Sequence, residues 1–264
     1  MSFAYCPLFS GSSGNAAIIS TPNARFLIDA GLAGKTLIAA LERIGVDPHA
    51  LDGIIITHEH TDHVRGAGIL SRKYNLPIYA NAKTWLAMQK YIGTIAPQNV
   101  RVFDTNHDFF IGDCNIFPFS IPHDAADPVG FTFFHQGKKI SQLTDLGHMP
   151  ASLLDVVEDS HLILLESNHD LTKLENSARP ASLKRRIRSN HGHLSNESAA
   201  ETCLSLINRG CRRFILGHMS GEANTPQIAY QTTEQFLTRN GVQLKQDAEL
   251  YLAHRDHACG IFRL

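Results

Sequence analysis

Cysteine is scarce in this sequence, and the few cysteines it has are scattered. The chain of 264 residues holds five, an odd number with no close pair. This excludes a disulfide-stapled scaffold and a zinc site built on closely spaced cysteines. We therefore expect reduced, mostly buried thiols of a cytoplasmic protein at Cys6, Cys114, Cys203, Cys211 and Cys259.

The sequence also lacks a long apolar run, an excess of charge and a boundary signal. No apolar stretch approaches the ~20 residues of a membrane span, and residues 1–5 show no signal-peptide pattern. The formal net charge is −1, so any nucleic-acid contact needs a local basic patch. No low-complexity stretch, linker or tandem repeat divides the chain, and 43% of its residues are hydrophobic. We therefore predict a single domain over residues 1–264.

Hydrophobic periodicity predicts strands and helices that alternate along the chain. Strands are predicted at Phe3–Phe9, Ala16–Ser20, Arg25–Asp29, Gly53–Thr57, Pro77–Ala80, Arg101–Asp104, Phe109–Ile121, Gly130–His135, Lys139–Thr144, Leu162–Glu166, Arg213–Leu216 and near the C-terminus. Helices are predicted at Gly34–Ile44, His63–Tyr74, Ala82–Tyr91, Ala151–Val157, Ala181–Arg188, Asn196–Arg209 and Pro226–Asn240. This pattern by itself gives a mixed α/β fold and no finer class.

The run THEHTDH, which follows a short apolar strand, is the strongest chemical signal in the sequence. Alternate side chains of an extended chain share a face, so His58 and His60 are placed to bind one metal ion. Asp62 and His63 fall in the first turn of the next helix and are placed to bind a second ion. Glu59 points the opposite way and is not expected to bind metal. One short loop thus predicts a two-metal site of the kind that activates water.

This run resembles the signature of the metallo-β-lactamase superfamily, and further motifs resemble its YycJ (WalJ) branch. These motifs are Ser10–Asn15, Leu27–Gly31, Thr57–His60, Leu76–Asn81, His123–Ala125, Thr144–Gly147, Glu166–Asp170 and Gly192–Asn196. They follow one another over nearly the whole chain, so the combination is far more specific than the metal-binding run alone. The resemblance implies an α/β fold of the four-layer αββα sandwich type.

Three further candidate ligands lie at the ends of apolar runs, where sites in α/β proteins gather: His123, Asp145 and His218. The resemblance implies that two divalent ions, zinc or manganese, are bound. By that resemblance one ion is held by His58, His60 and His123, the other by Asp62, His63 and His218, and Asp145 bridges them. It also gives Asp62 a catalytic role.

Other residues are candidates for supporting the metal ligands or for contacting substrate. Asp29 follows an apolar strand and either hydrogen-bonds a ligand imidazole or caps the following turn. Within Ser10–Asn15, backbone N–H groups and hydroxyls either surround a phosphate or make an ordinary turn. The candidate substrate contacts are Ser12, Ser13, Asn15, His148 and Asn168.

A basic segment precedes a pair of histidines in the last third of the chain. Arg185, Arg186 and Arg188 form either a solvated helix face or a contact to a phosphate backbone. In related phosphodiesterases a histidine outside the metal set protonates the leaving oxygen. We assign that role to His193.

The resemblance predicts a two-metal phosphodiesterase of the cytoplasm, acting on DNA as a 5′-to-3′ exodeoxyribonuclease. The metal chemistry follows from the ligands, whereas DNA as the substrate follows from the resemblance alone. A metallohydrolase of thioesters, lactones or cyclic phosphodiesters is the main alternative, and the basic segment argues against it. A non-enzymatic accessory protein is a further alternative, which the complete ligand set argues against.

Overall fold

The computed structural model describes residues 3–264, so the first two residues of the segment 1–5, discussed above for signal-peptide patterns, lie outside the described residues. Its residue contacts divide the chain into two compact units. The first unit contains residues 3–120, 125–137 and 254–264, and the second contains residues 121–124 and 138–253. The expectation of a single domain stays a prediction.

The strands and helices of the described residues are numbered in chain order. The first unit contains β1 (Ala4–Phe9), β2 (Ala16–Ser20), β3 (Arg25–Ile28), β4 (Gly53–Ile55), β5 (Ile78–Ala80), β6 (Val100–Val102), β7 (Phe109–Ile111), β8 (Cys114–Ser120) and β9 (Val129–His135). The second unit contains β10 (Lys138–Leu143), β11 (Leu162–Glu166), β12 (Arg213–Gly217) and β13 (Glu249–Leu252), and β14 (Phe262–Arg263) returns to the first. Helices α1 (Gly34–Arg43), α2 (Thr61–Val64), α3 (Ala67–Tyr74) and α4 (Ala82–Ile92) belong to the first unit. Helices α5 (Ala151–Val157), α6 (Leu171–Asn176), α7 (Ala181–Ile187), α8 (Asn196–Ile207) and α9 (Pro226–Arg239) belong to the second.

The first unit holds a seven-stranded mixed sheet in the order β14-β1-β2-β3-β4-β5-β6. Strands β14, β1, β2 and β3 pair antiparallel, whereas β3 to β6 pair parallel. Strands β7, β8 and β9 form an antiparallel meander. Phe26 of β3 lies 6.0 Å, ring centroid to centroid, from Phe133 of β9, so aromatic contacts join the two sheets of this unit.

The second unit is built on four parallel strands in the order β13-β12-β11-β10. Strand β11, Leu-Ile-Leu-Leu-Glu, is buried at every position, as expected for a parallel strand covered on both faces. Asp145 follows β10, Glu166 ends β11 and His218 follows β12. The carboxyl ends of three adjacent strands therefore present three ionisable side chains at one edge of the sheet.

Two predicted elements differ from the structure, and one helix was not predicted. The helix predicted at His63–Tyr74 is two helices, because the chain between them packs Gly66 against the preceding segment. A Cβ on Gly66 would lie 2.3 Å from the carbonyl oxygen of Leu32. The strand predicted at Phe109–Ile121 is the hairpin β7–β8, which turns at Gly112 with a φ of 56°. Helix α6, whose N-cap residue is Asp170, was not predicted.

The expectations about the cysteines and about membrane spans can be compared with the described residues. All five cysteines are free, and four of them are buried, which confirms the prediction of unpaired thiols. Burial raises the pKa of Cys211 to about 11, so this thiol is unreactive at neutral pH. Within residues 3–264, no helix is both long and apolar enough to cross a lipid bilayer.

Candidate metal centre

The metal-binding loop of the first unit brings three imidazoles together. It connects β4 to α2, and His60 is the N-cap residue of that helix. His58 Nε2 lies 3.1 Å from His60 Nδ1, and the rings of His58 and His63 are 4.1 Å apart between centroids. His58 and His63 are fully buried. Imidazole nitrogens are ligands that zinc and its first-row neighbours accept, so this group is able to take part in metal binding. The assignment of His58 and His60 to one ion and of His63 to a second stays a prediction.

Asp29 forms hydrogen bonds with two residues of the metal-binding loop. This fully buried carboxylate places Oδ2 2.8 Å from His63 Nδ1, and its Oδ1 accepts the backbone N–H of Thr57 at 2.9 Å. The first contact puts the proton of His63 on Nδ1 and leaves Nε2 as the acceptor. The predicted contact between Asp29 and a ligand imidazole is therefore present, whereas its functional role stays a prediction.

The Ser-rich loop Ser10–Asn15 packs against the metal-binding loop of the same unit. The Asn15 backbone N–H donates to Asp62 O at 2.8 Å, and Asn15 Nδ2 lies 3.0 Å from His63 Nε2. Asn15 is buried, while Ser12 and Ser13 are exposed at the tip of the loop. Asn15 thus holds two predicted ligands in place. The predicted contacts of these three residues with substrate are not tested by this geometry.

The second unit gathers its own set of donor groups at the carboxyl ends of its strands. Asp145, Glu166, His193 and His218 each place a ligand atom within 4.8 Å of the others. His218 Nδ1 lies 3.3 Å from Asp145 Oδ2, and His123 Nε2 lies 3.6 Å from Asp145 Oδ1. Nitrogen and oxygen donors of this kind suit zinc and its first-row neighbours, so the cluster is able to hold a divalent metal.

Three of the site residues hold a left-handed backbone conformation. The φ angles are 59° for Asp29, 59° for Asp145 and 52° for His218. Non-glycine residues rarely adopt such angles, and each costs about 1–3 kcal/mol unless the surroundings impose it. Strain at these positions is typical of a functional site.

Glu166 is the site residue that sequence reasoning missed. Its Oε2 accepts the backbone N–H groups of Leu146 at 2.8 Å and Leu194 at 3.1 Å, and its Oε1 lies 2.8 Å from His193 Nδ1. The carboxylate therefore ties the loop after β10 to the loop before α8. One sequence feature could have revealed Glu166: it is a charged residue at the end of an otherwise apolar strand, where a buried charge needs partners.

His193 is placed to carry a proton at neutral pH. Burial lowers its pKa, but the Glu166 carboxylate, which also accepts its hydrogen bond, and the Asp145 carboxylate raise the pKa to about 9. The hydrogen bond fixes the proton on Nδ1 and leaves Nε2–H of the imidazolium as a donor. The predicted general-acid role remains a prediction that this geometry favours.

Two other predicted substrate contacts lie in different surroundings. Asn168 is buried and donates from Nδ2 to the carbonyl oxygen of His218 at 2.8 Å, so it fixes the backbone of a predicted ligand. His148 is exposed, and its Nδ1 lies 3.0 Å from Asn190 O. Their contacts with substrate stay predictions.

The basic segment on α7 has mostly intramolecular partners. Arg186 Nη2 donates to Asp124 Oδ1 at 2.9 Å, next to the predicted ligand His123, and Arg188 pairs with Glu175 at 3.2 Å. Over residues 3–264, Arg185 makes no ion pair and is exposed. Of the three predicted phosphate contacts, only Arg185 keeps its whole charge available to a ligand.

Comparisons with known proteins agree with this architecture. The family model described as "Beta-lactamase superfamily domain" matches residues 24–219. Exodeoxyribonuclease WalJ of Streptococcus pneumoniae serotype 2 (strain D39 / NCTC 7466) is 37% identical over 258 residues, which is 97% of this chain and 96% of the relative. Exodeoxyribonuclease YycJ of Bacillus anthracis is 35% identical over 251 residues, 95% of each chain.

The solved structure of the metallo-β-lactamase fold protein YhfI from Bacillus subtilis has a TM-score of 0.73 at 15% identity, covering 97% of this chain and 98% of that one. That likeness shows the fold alone. The chain therefore belongs to the metallo-β-lactamase superfamily, which confirms the predicted α/β sandwich. Within the superfamily its family is that of WalJ and YycJ, as its motifs predicted.

Proposed function

We propose that this protein is a two-metal phosphodiesterase that removes nucleotides from the 5′ end of DNA. The family supports the proposal, because the relatives named above are exodeoxyribonucleases that match this chain over nearly its full length. The donor atoms gathered within each unit support it as well. We also propose a cytoplasmic location and a single domain over residues 1–264. A thermal or denaturant unfolding experiment tests the single domain, which predicts one cooperative transition.

The proposed ligands divide between two ions as the resemblance implies. His58, His60 and His123 would hold one ion, Asp62, His63 and His218 would hold the other, and Asp145 would serve both. When bound, two divalent ions supply the positive charge that neutralises a phosphodiester, and they generate a nucleophile from water at neutral pH. Zinc and manganese both suit this donor set of nitrogen and oxygen.

The observation that carries the proposal is the contact of the His193 imidazole with two carboxylates of the donor cluster in the second unit. His193 Nδ1 lies 3.7 Å from Asp145 Oδ1 and 2.8 Å from Glu166 Oε1. We assign His193 to proton transfer because the Glu166 and Asp145 carboxylates raise its pKa and favour the imidazolium, in which Nε2 also carries a proton. The alkoxide that leaves a nucleic-acid phosphodiester is a poor leaving group and needs a proton, which His193 donates from Nε2.

The remaining residues position these groups. Asp29 fixes the tautomer of His63, Asn168 holds the backbone of His218, and Glu166 orients and charges His193. The exposed hydroxyls of Ser12 and Ser13 and the exposed Arg185 are the proposed contacts with substrate, together with His148.

A substrate panel on metal-loaded protein tests the proposal. It contains single- and double-stranded DNA with a 5′ phosphate or a 5′ hydroxyl, RNA, a cyclic nucleotide, a lactone and a thioester. We expect cleavage of DNA to exceed turnover of the small molecules. The opposite order would favour the small-molecule hydrolase. One structural observation supports that alternative: the internal ion pairs of Arg186 and Arg188 reduce the positive charge available to a phosphate backbone.

A further inference from the structure

A groove of the first unit lies between helix α4 and the edge strand β6. Strand β6 stands last in its sheet, so one of its two backbone edges faces away from β5. Trp85 Nε1 donates to the carbonyl oxygen of Arg101 at 2.7 Å and holds the helix against the strand. The groove between them has a volume of about 780 Å³. None of the residues that line it is a candidate metal ligand or substrate contact.

Apolar side chains gather in this groove and remain exposed. Leu86 on α4 is 74% exposed, and Val102 and Val100 on β6 are 58% and 36% exposed. Ile92 and Ile95 belong to the same lining. Single exposed aliphatic side chains are ordinary on a protein surface, but a group of them in one concavity is typical of a surface that binds another molecule.

The outer edge of β6 offers backbone hydrogen bonds. Phe103 directly follows β6, and its N–H donates to the carbonyl oxygen of Ala80 in β5. In a parallel sheet the N–H and C=O of one residue point to the same edge, and those of the next residue point to the opposite edge. Val102 therefore directs both groups to the outer edge, where no strand of residues 3–264 pairs with β6. Such an edge is a template for one more strand.

Basic side chains surround the groove on the helical side. Lys83 and Lys90 lie three residues before and four residues after Leu86, so the three side chains share one side of α4. At one end of the groove, Arg72 Nη1 donates to the carbonyl oxygen of the lining residue Ile92 at 2.8 Å. The exposed apolar side chains of α4 are thus flanked by three cations.

The open edge of β6 carries a positive charge as well. Arg101 is exposed, and its Nη1 donates to the carbonyl oxygen of Val100 at 3.2 Å, so the guanidinium lies beside the edge strand. One carboxylate, that of Asp127, lies 3.9 Å from Lys83. The other cations form no ion pair within residues 3–264: Arg72, Lys90 and Arg101. A chain with a formal net charge of −1 therefore has a local excess of positive charge at this groove.

We propose that the groove binds an extended peptide with acidic and apolar side chains, which adds as a strand beside β6. The backbone of the peptide pairs with the outer edge of β6, and its apolar side chains pack against Leu86 and Val102. Its carboxylates face the surrounding cations, and this charge complementarity selects an acidic partner over a basic one.

Two other occupants fit the groove less well. A second copy that added its own β6 would bring Lys90 and Arg101 of each copy close to the same cations of the other, and like charges across an interface oppose association. Single-stranded DNA has the right charge, but its bases need exposed aromatic faces on which to stack. The one aromatic residue in the lining, Trp85, is only 7% exposed, and the exposed lining is aliphatic.

Fluorescence anisotropy with synthetic peptides tests the proposal on metal-loaded protein. The labelled probe alternates aspartate with isoleucine over about six residues, the usual length of a strand. A second peptide has lysine in place of aspartate, and a third has N-methylated backbone amides. The acidic peptide should bind about tenfold or more tightly than the lysine peptide, because each ion pair contributes little but several act together. N-methylation, which removes backbone donors, should weaken binding by roughly tenfold.

Variants of the protein locate the binding site. Val102→Pro removes the N–H at the outer edge and should weaken binding of the acidic peptide by roughly tenfold. Proline is tolerated on an edge strand whose N–H faces solvent, so the variant should fold, which circular dichroism checks. Val102→Thr keeps the N–H and is its control. Lys90→Glu should weaken the acidic peptide and favour the lysine peptide, whereas Lys35→Glu, at an exposed lysine of α1, should change neither.

Several outcomes would overturn the proposal. These are no binding of the acidic peptide, equal binding of the acidic and lysine peptides, and full binding by Val102→Pro. Displacement of the acidic peptide by oligo(dT), with oligo(dT) binding weakened by Lys90→Glu, would assign the groove to nucleic acid. A dimer in analytical ultracentrifugation that Val102→Pro dissociates would assign it to a second copy.

Discussion

Glu166→Gln is the substitution that separates proton donation from metal binding most cleanly. The change keeps the size of the side chain but removes the charge that raises the pKa of His193 to about 9. Burial lowers the pKa of this imidazole while the Asp145 carboxylate still raises it, so the pKa in the variant should fall well below 9, towards the ordinary value of about 6.5. A raised pKa keeps His193 protonated up to higher pH. When the substitution lowers this pKa, the alkaline limb of the activity profile should move to lower pH.

The magnitude follows from the two protonated fractions. At pH 7.5 a group of pKa 9 is about 97% protonated and a group of pKa 6.5 about 9%, so the supply of proton donor falls roughly tenfold. Because Asp145 still raises the pKa in the variant, activity on DNA at that pH should fall by up to about this factor. A nitrophenyl phosphodiester, whose leaving group needs no proton, should be cleaved by the variant nearly as fast as by the intact protein.

Two measurements check this reasoning. The imidazole resonances of His193 in metal-free protein give the pKa directly, and pH–rate profiles of metal-loaded protein on both substrates give the kinetic consequence. Glu222→Gln, at an exposed ion pair with Arg179, is the matched control and should change neither. An unchanged pKa of His193, or an equal rate loss on both substrates, would refute the account of Glu166.

Three further predictions concern the metal ligands and the basic segment. Asp145→Ala should lose one or both ions, because the proposed bridge is gone, and metal analysis showing two ions at full occupancy would remove that role. Asp29→Ala frees the tautomer of His63 and should weaken metal affinity by about 10- to 100-fold, measured by competition with a chelator. An undiminished affinity would make Asp29 a turn cap only. Arg185→Gln should reduce the slope of log affinity against log salt by about 0.9 on duplex DNA, and an unchanged slope would return the segment to a solvated helix face.

The grouping of the candidate ligands near β4 was predictable because these residues are close together in the sequence. His58, His60, Asp62 and His63 lie within one loop, and their grouping needs only the geometry of a strand that runs into a helix. The strands and most helices were also predictable, since buried strands such as β11 are nearly continuous apolar runs.

The rest of the site depends on contacts between distant parts of the sequence. Glu166 is joined to His193 across 27 positions, and no local pattern reveals this contact. The charge available on the basic segment could not be predicted for the same reason, because Asp124, the partner of Arg186, lies 62 positions away. A run of basic residues in the sequence shows that positive charge is present. It does not show how many of those residues form ion pairs within the protein.

One digestion tests the central proposal most directly. An oligonucleotide labelled either at its 5′ phosphate or at its 3′ end is incubated with metal-loaded protein, with and without EDTA, and the products are resolved by length over time. The proposed function predicts that the 5′ label appears as a mononucleotide from the earliest times, that the 3′-labelled strand shortens stepwise, and that EDTA abolishes both. Internal fragments at early times, release of the 3′ label first, or an intact strand with both ions bound would contradict it.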